Sequence, residues 1–213
     1  MEYEKVVQHY EKCFEKHGPT HLGVDWPKQA DLDTRFKVMT DIILRRHYPC
    51  TLLDFGCGAG LLLEWIKRKW YGASVEYIGC DLSHKFIDYC KTKFPEEQFV
   101  QLDVIKEEEK LPEFDYAILN GVFTMKIDLT HEEMWAVFTE VITKVFKKAK
   151  RGVAFNLMSK QVDWERKDLF HVSLDDLASF LTKNLSRHFV IKNDYGLYEY
   201  TVYLYKEVTT NES

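Results

Sequence analysis

The sequence predicts an α/β domain with a seven-stranded, mostly parallel sheet and helices on both of its faces. From residue 50 onward, short apolar runs alternate with longer segments of helical periodicity, which is typical of a parallel sheet covered by helices. The last two apolar runs are joined only by YGLY, which is too short for a crossover helix. We therefore expect the final two strands to form a C-terminal antiparallel hairpin.

Each element is predicted from its residues in chain order. Two amphipathic helices are expected first, over Tyr3 to His17 and Asp31 to His47. The strands, which are short and apolar, follow at CTLLDFG, SVEYIGCD, QFVQLDV, FDYAILNG, GVAFNLM, HFVIKND and YTVYLYKE. The helices between them are expected at GLLLEWIKRKWYG, HKFIDYCKTKF, HEEMWAVFTEVITKVFKKAK and SLDDLASFLTKNLS, with a short helical piece near KEEEKL.

The composition indicates one well-packed domain with an ordinary polar surface. The 213 residues are 46% hydrophobic and 15% aromatic, which is ample for a single core over residues 1–213. A net charge of -5 argues against a general nucleic-acid or acidic-membrane binder. No apolar run is long enough for a bilayer and no signal-peptide pattern is present, so we expect a cytoplasmic protein without membrane insertion. The five cysteines lack CxxC or zinc-site spacing and are expected to be reduced thiols.

The stretch LLDFGCGAG, Leu52 to Gly60, places three glycines where the first strand passes into a helix. Glycine leaves backbone N–H groups uncovered and lets a ligand approach the main chain closely. Gly56 and Gly58 would give this approach, and Gly60 would let the helix pack against the strand. The pattern therefore predicts a ligand-binding site, with an ordinary turn between a strand and a helix as the alternative.

Each of the next two strands ends with an acidic residue. Asp81 lies 21 residues after Gly60, where a carboxylate can accept hydrogen bonds from both ribose hydroxyls. Asp103 and Val104 close the third strand, where they would meet an adenine edge. The alternatives are a helix cap for Asp81 and a loop cap for Asp103.

Together, LLDFGCGAG, YIGCDLS, FVQLDV and FDYAILNGVF resemble the successive motifs of the class I S-adenosylmethionine-dependent methyltransferases, in the same order and at matching intervals. The resemblance covers about residues 50–207 and implies a Rossmann-like fold with S-adenosyl-L-methionine as the cofactor. The residues that it implies near the methionine part of the cofactor are Asp54, Gly56, Cys57, Gly58 and Asn120. Those that it implies near the ribose and adenine are Asp81, Leu82, Asp103 and Val104.

The segment after the fourth strand bears on the methyl acceptor. Enzymes that methylate amino groups of adenine, cytosine or glutamine amides resemble one another in an Asn/Asp-Pro-Pro-aromatic run, whereas this chain has LNGVF. Those acceptors are therefore not expected. NGVFTMKID and FNLMS also lack the clustered carboxylates of a metal-dependent catechol type, so no metal is predicted.

The residues ahead of the first strand are expected to form a lid. KHGPTHLGVDWPKQADLDTRF carries two histidines, two glycines, two prolines, a tryptophan and an arginine between the N-terminal helices. In the family that the chain resembles, this region often covers cofactor and acceptor. We therefore divide the domain into a helical lid segment, 1–48, and a sheet domain, 50–207. Rigid turns anchored by a tryptophan are the alternative.

Candidate lid or substrate residues are His17, Trp26, Arg35 and His171. Arg35 would bind the cofactor carboxylate or an anionic acceptor, with a surface ion pair as the alternative. A general base is needed only if the acceptor must lose a proton, and His17, His21, His131 and His171 have a suitable pKa range. His21 is the first choice as the catalytic base because it lies among the lid residues, although each histidine also suits a surface or helix-end position.

The predicted function is methyl transfer from S-adenosylmethionine to an oxygen or nitrogen of a small-molecule or glycan-linked acceptor. A looser resemblance to small bacterial methyltransferases of polysaccharide, capsule or specialised-metabolite pathways implies such an acceptor; it is carried by HGPTHLGVDW, DTRF, LNGVFTMK, GVAFNLMS and DYGLYEYTVYLYK. The alternatives are an RNA or protein methyltransferase and a non-catalytic binding subunit. The basic run KVFKKAKR is interpreted as a solvated helix end, so nucleic acid is not the expected partner. The oligomeric state is not predicted.

Overall fold

The computed structural model describes residues 3–44, 47–69 and 74–209. Within these ranges the helices are α1 (Glu4–His17), α2 (Gln29–Thr40), α3 (Leu61–Arg68), α4 (His84–Lys93), α5 (His131–Lys148) and α6 (Leu174–Asn184). The strands are β1 (Cys50–Phe55), β2 (Val75–Asp81), β3 (Gln98–Gln101), β4 (Phe114–Leu119), β5 (Ala149–Ser159), β6 (His171–Val172), β7 (Phe189–Lys192) and β8 (Glu199–Tyr205). Short 3₁₀ helices cover Leu22–Val24 and Glu108–Lys110.

The strands form one sheet in the order β3-β2-β1-β4-β5-β8-β7, which confirms the predicted α/β architecture. The strands from β3 to β5 are parallel, and β8 is antiparallel to both of its neighbours, β5 and β7. The expected C-terminal hairpin is therefore present. The strand order reverses between β1 and β4, and at such a point the loops diverge and leave a crevice at the carboxyl ends of the strands.

The structure corrects the predicted end of α2, which stops at Thr40 and not at His47. The next amides, those of Asp41, Ile42 and Ile43, bond to carbonyls three residues earlier and tighten the chain into turns. Residues 45–46 of this predicted helix, and residues 70–72 of the one predicted after the glycine turn, lie outside the described residues.

Two further differences concern β5. The helix predicted to reach residue 150 ends at Lys148, and β5 begins at once with Ala149, which is buried and pairs with Phe114. The two-residue strand β6 was not predicted, and it pairs with the last residues of β5. A strand of two residues is too short to show the alternation of apolar and polar residues that predicts a strand, and only its pairing with β5 defines it.

The core lies on both faces of the sheet. Successive residues of a strand point to opposite faces, and Leu52 and Leu53 accordingly belong to different hydrophobic clusters although both are fully buried. Each such side chain contributes about 1.5–3 kcal/mol through burial. The two packed faces hold β1 and β4 in place, and with them the loops at the crevice.

The N-terminal segment lies over the carboxyl ends of β2 and β3. Tyr3 donates a hydrogen bond from its hydroxyl to the Asp103 carboxylate at 2.8 Å, and Ser83 Oγ donates to Glu11 at 2.6 Å. Phe14 packs on Phe86 of α4 with ring centroids 4.8 Å apart. These contacts place α1 across the crevice. No helix within the described ranges is long and apolar enough to cross a membrane.

Candidate active site

The glycine turn between β1 and α3 depends on backbone conformations that favour glycine. Gly56 and Gly58 have φ angles of 75° and 51°, in the left-handed region. A Cβ atom on Gly56 would lie 2.8 Å from Val122 Cγ2, and one on Gly58 would lie 3.1 Å from Val24 Cγ1. The turn therefore keeps a narrow space open between itself, the end of β4 and the segment that carries Val24.

That space is a cavity of about 150 Å³, which we call the turn cavity. Its floor is the glycine turn and the ends of β2 and β4, and its cover comes from α1 and the segment before α2. The sequence-predicted residues that line it are Gly56, Gly58, Asp81, Leu82, Asn120 and Trp26. The motif residues from three different strand ends are thus brought together in one cavity.

Asp81 joins the glycine turn to the end of β2. Its carboxylate oxygens accept hydrogen bonds from the backbone N–H groups of Gly58 and Ser83, each at 2.9 Å. Burial raises the pKa of Asp81, and these two backbone donors oppose the increase. Each carboxylate oxygen can accept a further bond, so Asp81 both supports the turn and remains able to bind hydroxyl groups.

Asp54 and Asn120 line a smaller cavity of about 50 Å³, which shares Gly56, Gly58 and Asn120 with the turn cavity. Asp54 is buried and accepts a hydrogen bond from the Tyr77 hydroxyl at 2.6 Å. Burial raises the pKa of Asp54 to about 7, although the Tyr77 hydroxyl acts in the opposite direction. The Asn120 Oδ1 atom is buried and has no hydrogen-bond partner among the described residues. An orphaned acceptor of this kind is expected where a ligand donates.

Asp103 and Val104 line a further cavity of about 90 Å³, which shares Leu82 with the turn cavity. The Asp103 carboxylate accepts from Tyr3 and forms an ion pair with Lys106 at 3.1 Å. Burial alone would raise the pKa of Asp103, but bonds from Tyr3 and Lys106 outweigh it and lower the pKa. This carboxylate therefore holds α1 in place at the far end of the crevice.

Cys57 contributes its backbone to the turn while its side chain packs in the core. The backbone N–H groups of Gly56 and Cys57 donate to the Cys80 carbonyl at 2.8 and 3.0 Å. The Cys57 side chain is buried, and its Sγ atom lies close to Gly79 in β2.

A second cavity of about 430 Å³, which we call the side cavity, adjoins the turn cavity. The two cavities share Tyr10 and Trp26, which therefore stand between them. Trp26 packs close to Gly121, because a Cβ atom there would lie 2.7 Å from Trp26 Cζ2. The remaining wall of the side cavity comes from the segment after β4, the end of β5, the loop that leads into β6, and the start of β8 with the loop before it. Its residues include Met125, Met158, Trp164, Leu169, His171, Tyr198 and Glu199.

Arg35 belongs to a buried hydrogen-bond network at the side cavity. Its Nε and Nη2 atoms donate to both carboxylate oxygens of Glu199 at 2.7–2.9 Å. Asn156 donates to Glu199 at 2.8 Å and accepts from the Gly121 backbone N–H at 2.8 Å. The Arg35 guanidinium also lies 3.8 Å from the centre of the Trp26 ring. Arg35 is thus in a buried ion pair rather than a surface one, and it supports Trp26.

His171 is buried at the side cavity. Its Nδ1 atom lies 2.6 Å from the Ser159 carbonyl oxygen, which can only accept a hydrogen bond. The proton of a neutral ring is therefore on Nδ1, and Nε2 carries the lone pair. Nε2 is buried and has no partner among the described residues.

The other candidate histidines lie elsewhere. His17 and His21 line a separate cavity, together with Leu61 and Glu64 of α3. The His21 Nδ1 atom lies 2.7 Å from the Trp26 backbone oxygen and so stabilises the turn before α2. His131 Nε2 lies 3.0 Å from the His171 backbone oxygen at the start of α5. The structure does not bring His21 to either cavity that Trp26 separates.

Three residues that the sequence reasoning missed are Tyr10, Asp25 and Glu199. His9 Nε2 lies 2.7 Å from Asp25 Oδ2 and 3.8 Å from Cys13 Sγ, so α1 is joined to the turn that carries Trp26. Burial and the nearby Asp25 carboxylate raise the pKa of Tyr10, which also bonds to Thr124. The one available sequence signal was Glu199, an acid at the start of a strand whose other residues are uncharged.

A switch-point crevice with a glycine turn and an acid at the next strand end defines an α/β enzyme that binds a nucleotide-like cofactor. Residues 53–148 match the family model described as a methyltransferase domain. The Mycobacterium tuberculosis protein Rv1506c, which is named as a methyltransferase, is 26% identical over 160 residues, covering 74% of this chain and 94% of that protein.

Solved structures share the fold. Magnesium protoporphyrin IX methyltransferase from Synechocystis, crystallised with S-adenosylhomocysteine, is 16% identical, with a TM-score of 0.67 over 96% of this chain and 100% of that one. Human N-acetylserotonin methyltransferase is also 16% identical, with a TM-score of 0.60 over 82% of this chain and 52% of that one. Across residues 53–148 the chain is therefore similar to methyltransferase domains, and it shares its fold with methyltransferases that were crystallised with S-adenosylmethionine or S-adenosylhomocysteine.

Proposed function

We propose that the enzyme transfers a methyl group from S-adenosylmethionine in the turn cavity to an oxygen or nitrogen of a small-molecule or glycan-linked acceptor in the side cavity. The observation that carries this proposal is that the two cavities meet at Tyr10 and Trp26. A cofactor and an acceptor on either side of this boundary could approach each other closely, and such proximity supplies much of the acceleration of a methyl transfer.

The residues present fit the cofactor. The unpartnered Asn120 Oδ1 atom and the Asp54 carboxylate suit the donors of its methionine part, beside the backbone of Gly56, Cys57 and Gly58. The free acceptor positions of Asp81 suit the ribose hydroxyls, with Leu82, Asp103 and Val104 toward the adenine. When bound, the cofactor supplies an activated methyl group on a sulfonium.

We propose His171, rather than His21, as the general base for an acceptor that must lose a proton. The Ser159 carbonyl holds the Nδ1 proton, so Nε2 is available to accept one. His171 lines the side cavity, whereas His21 does not. The nearby Arg35 and Glu199 would position the wall of that cavity through Trp26 and Asn156.

Residues 1–48 are proposed to act as the lid within a single domain of residues 1–213. Val6, Val7 and Tyr10 of α1, with Val24 and Trp26, cover the turn cavity. The basic run that spans the end of α5 and the start of β5 gives no support to a nucleic-acid acceptor, because Lys147, Lys150 and Arg151 form ion pairs with Glu108, Glu113 and Asp115.

The test has a binding arm and a turnover arm. Titration calorimetry should show S-adenosylhomocysteine binding in the micromolar range, about 7–9 kcal/mol. Release of S-adenosylhomocysteine is then measured over a panel of small phenols, alcohols and amines. With the acceptor that turns over best, His171→Ala should lose about 100-fold in kcat or more, with cofactor affinity unchanged.

His21→Ala is the matched control and should stay near the wild-type rate. The opposite pattern, with His21→Ala inactive and His171→Ala active, would identify His21 of the lid segment as the general base. No binding of S-adenosylhomocysteine at millimolar concentration would contradict the proposed function itself.

A further inference from the structure

We propose that the side cavity selects acceptors that carry a ring and no negative charge, that is, neutral or cationic ring compounds with a hydroxyl or amine to methylate. This inference rests on the proposed function and adds a substrate class to it. The arrangement of charged and aromatic residues around the cavity supports it.

The two cations of the side cavity are already neutralised. Arg35 is 8% exposed and both of its donating nitrogens are bonded to Glu199. Arg166 forms a two-point ion pair with Asp168. A carboxylate or phosphate on the acceptor would have to break one of these pairs, and breaking the buried pair would leave a buried charge uncompensated. An anionic acceptor therefore finds no ready partner among the described residues of this cavity.

The carboxylates of the cavity are in excess. Four line it, Asp25, Asp31, Asp163 and Glu199, against the two guanidinium groups. Asp25 is paired with His9, and Glu199 with Arg35. Asp31 and Asp163 form no ion pair with any described residue. Unpaired carboxylates beside a partly enclosed cavity repel anions and attract cations.

The rim of the side cavity carries two large aromatic side chains that are exposed to solvent. Trp164 is 70% exposed and Tyr198 is 72% exposed, and both line the cavity. Such rings offer flat apolar faces on which another ring can stack, and they attract cations through the same faces. Met125, Met158 and Leu169 make the deeper wall apolar. An apolar ring suits this lining, and a positive charge on it is favoured further.

The size of the cavity agrees with one small acceptor. Its volume of about 430 Å³ lies within the range of small-molecule pockets. A polymer would instead require an open groove that continues beyond the two rim aromatics.

The test uses three probes that share one phenol ring and differ in the charge of the side chain: tyramine (cationic), tyrosol (neutral) and 4-hydroxyphenylacetate (anionic). Their binding to the protein saturated with S-adenosylhomocysteine is measured by saturation-transfer NMR and calorimetry at pH 7. Tyramine and tyrosol should bind at least about tenfold more tightly than 4-hydroxyphenylacetate, which corresponds to 1.4 kcal/mol. Equal or tighter binding of 4-hydroxyphenylacetate would overturn the proposal. The absence of binding by all three probes at a probe concentration of about 10 mM would overturn it as well, because a weaker affinity is negligible.

Variants assign the selectivity to the named residues. Asp31→Asn with Asp163→Asn should reduce the affinity for tyramine to that for tyrosol, and Trp164→Ala should weaken both about fivefold or more. Asp33→Asn, on the same helix as Asp31 but outside the cavity, is the matched control and should change nothing. Unchanged probe affinity in the double variant and in Trp164→Ala would contradict the proposal. S-adenosylhomocysteine binding is measured separately: its absence contradicts the proposed function, whereas normal cofactor binding with the wrong probe order contradicts the substrate class alone.

Discussion

Arg35 and Glu199 lie 164 positions apart in the chain and form a buried ion pair in which two guanidinium nitrogens donate to the carboxylate. Glu199 also accepts from Asn156, and Arg35 stacks on Trp26. The pair therefore joins α2 of the lid segment to β8 and β5 of the sheet. Trp26, which lies at the boundary between the two cavities, is thus supported through Arg35 by a residue near the opposite end of the chain.

Removing one partner of this pair should destabilise the protein strongly. Glu199→Ala leaves the Arg35 charge buried without compensation, and we expect a loss of about 3–5 kcal/mol in the free energy of unfolding, measured by urea denaturation. The double variant Arg35→Met, Glu199→Leu removes both charges and should recover most of that loss. If the single and the double variants are equally unstable, packing rather than charge accounts for the effect.

The sequence was sufficient to predict which strand ends meet at the turn cavity, because short motifs determine where strand ends lie. Asp81 ends β2 and Asn120 follows β4, and these two strands flank β1, so their meeting in one cavity beside the glycine turn follows from topology. The side cavity depends on tertiary contacts. Glu199 meets Arg35 only when β8 inserts beside β5, and a sequence pattern does not record that contact.

The candidate histidines also show that tertiary contacts cannot be predicted from a sequence pattern. His21 was preferred because polar and glycine residues surround it in the sequence, yet its ring bonds to the backbone of Trp26. His171 lies in a two-residue strand that has no period to detect, and its position comes from pairing with β5. The residues next to a histidine in the sequence indicate only the composition of its segment. The direction in which its side chain points is set by tertiary packing.

The raised pKa of Asp54 should make stability depend on pH. Because the folded-state pKa, about 7, is above the ordinary value, protonated Asp54 stabilises the fold fully at low pH, and this contribution is lost as pH rises through about 7. Relative to Asp54→Asn, which cannot ionise, the wild-type free energy of unfolding should fall by a few kcal/mol between about pH 4 and pH 8. Parallel pH profiles for the two proteins would show that Asp54 titrates normally.

Cofactor binding should show the opposite dependence on the same group. If the ionised Asp54 carboxylate receives the amino group of S-adenosylhomocysteine, binding requires the proton on Asp54 to leave, and affinity should rise through about pH 7. Calorimetry across this range, with Asp54→Asn as the control for titration of the ligand itself, measures the difference. A constant affinity ratio between the two proteins would place the amino group elsewhere.

Asp81→Ala should weaken S-adenosylhomocysteine binding by about 2 kcal/mol or more, because the ribose hydroxyls lose a charged acceptor. The variant also loses the two backbone bonds that Gly58 and Ser83 make to this carboxylate, so its stability is measured in parallel. Asp88→Ala, an exposed acid on the following helix, is the control. Normal cofactor affinity in a folded Asp81→Ala protein would mean that the ribose is held by other groups.

Ligand binding should protect the lid segment from proteolysis. Lys16 and Lys28 flank the loop between α1 and α2 and are exposed, and the residues between them include Val24 and Trp26 over the turn cavity. S-adenosylhomocysteine should therefore slow tryptic cleavage after both lysines, since a ligand that binds the closed form depopulates the open one. Arg187, exposed before β7, is an internal control whose cleavage should be unaffected.

Trp26→Ala should remove the protection, because the loop then loses its contacts with Gly121 and Arg35. Equal cleavage with and without ligand, in a protein shown by calorimetry to bind it, would mean that the segment packs on the sheet without acting as a lid.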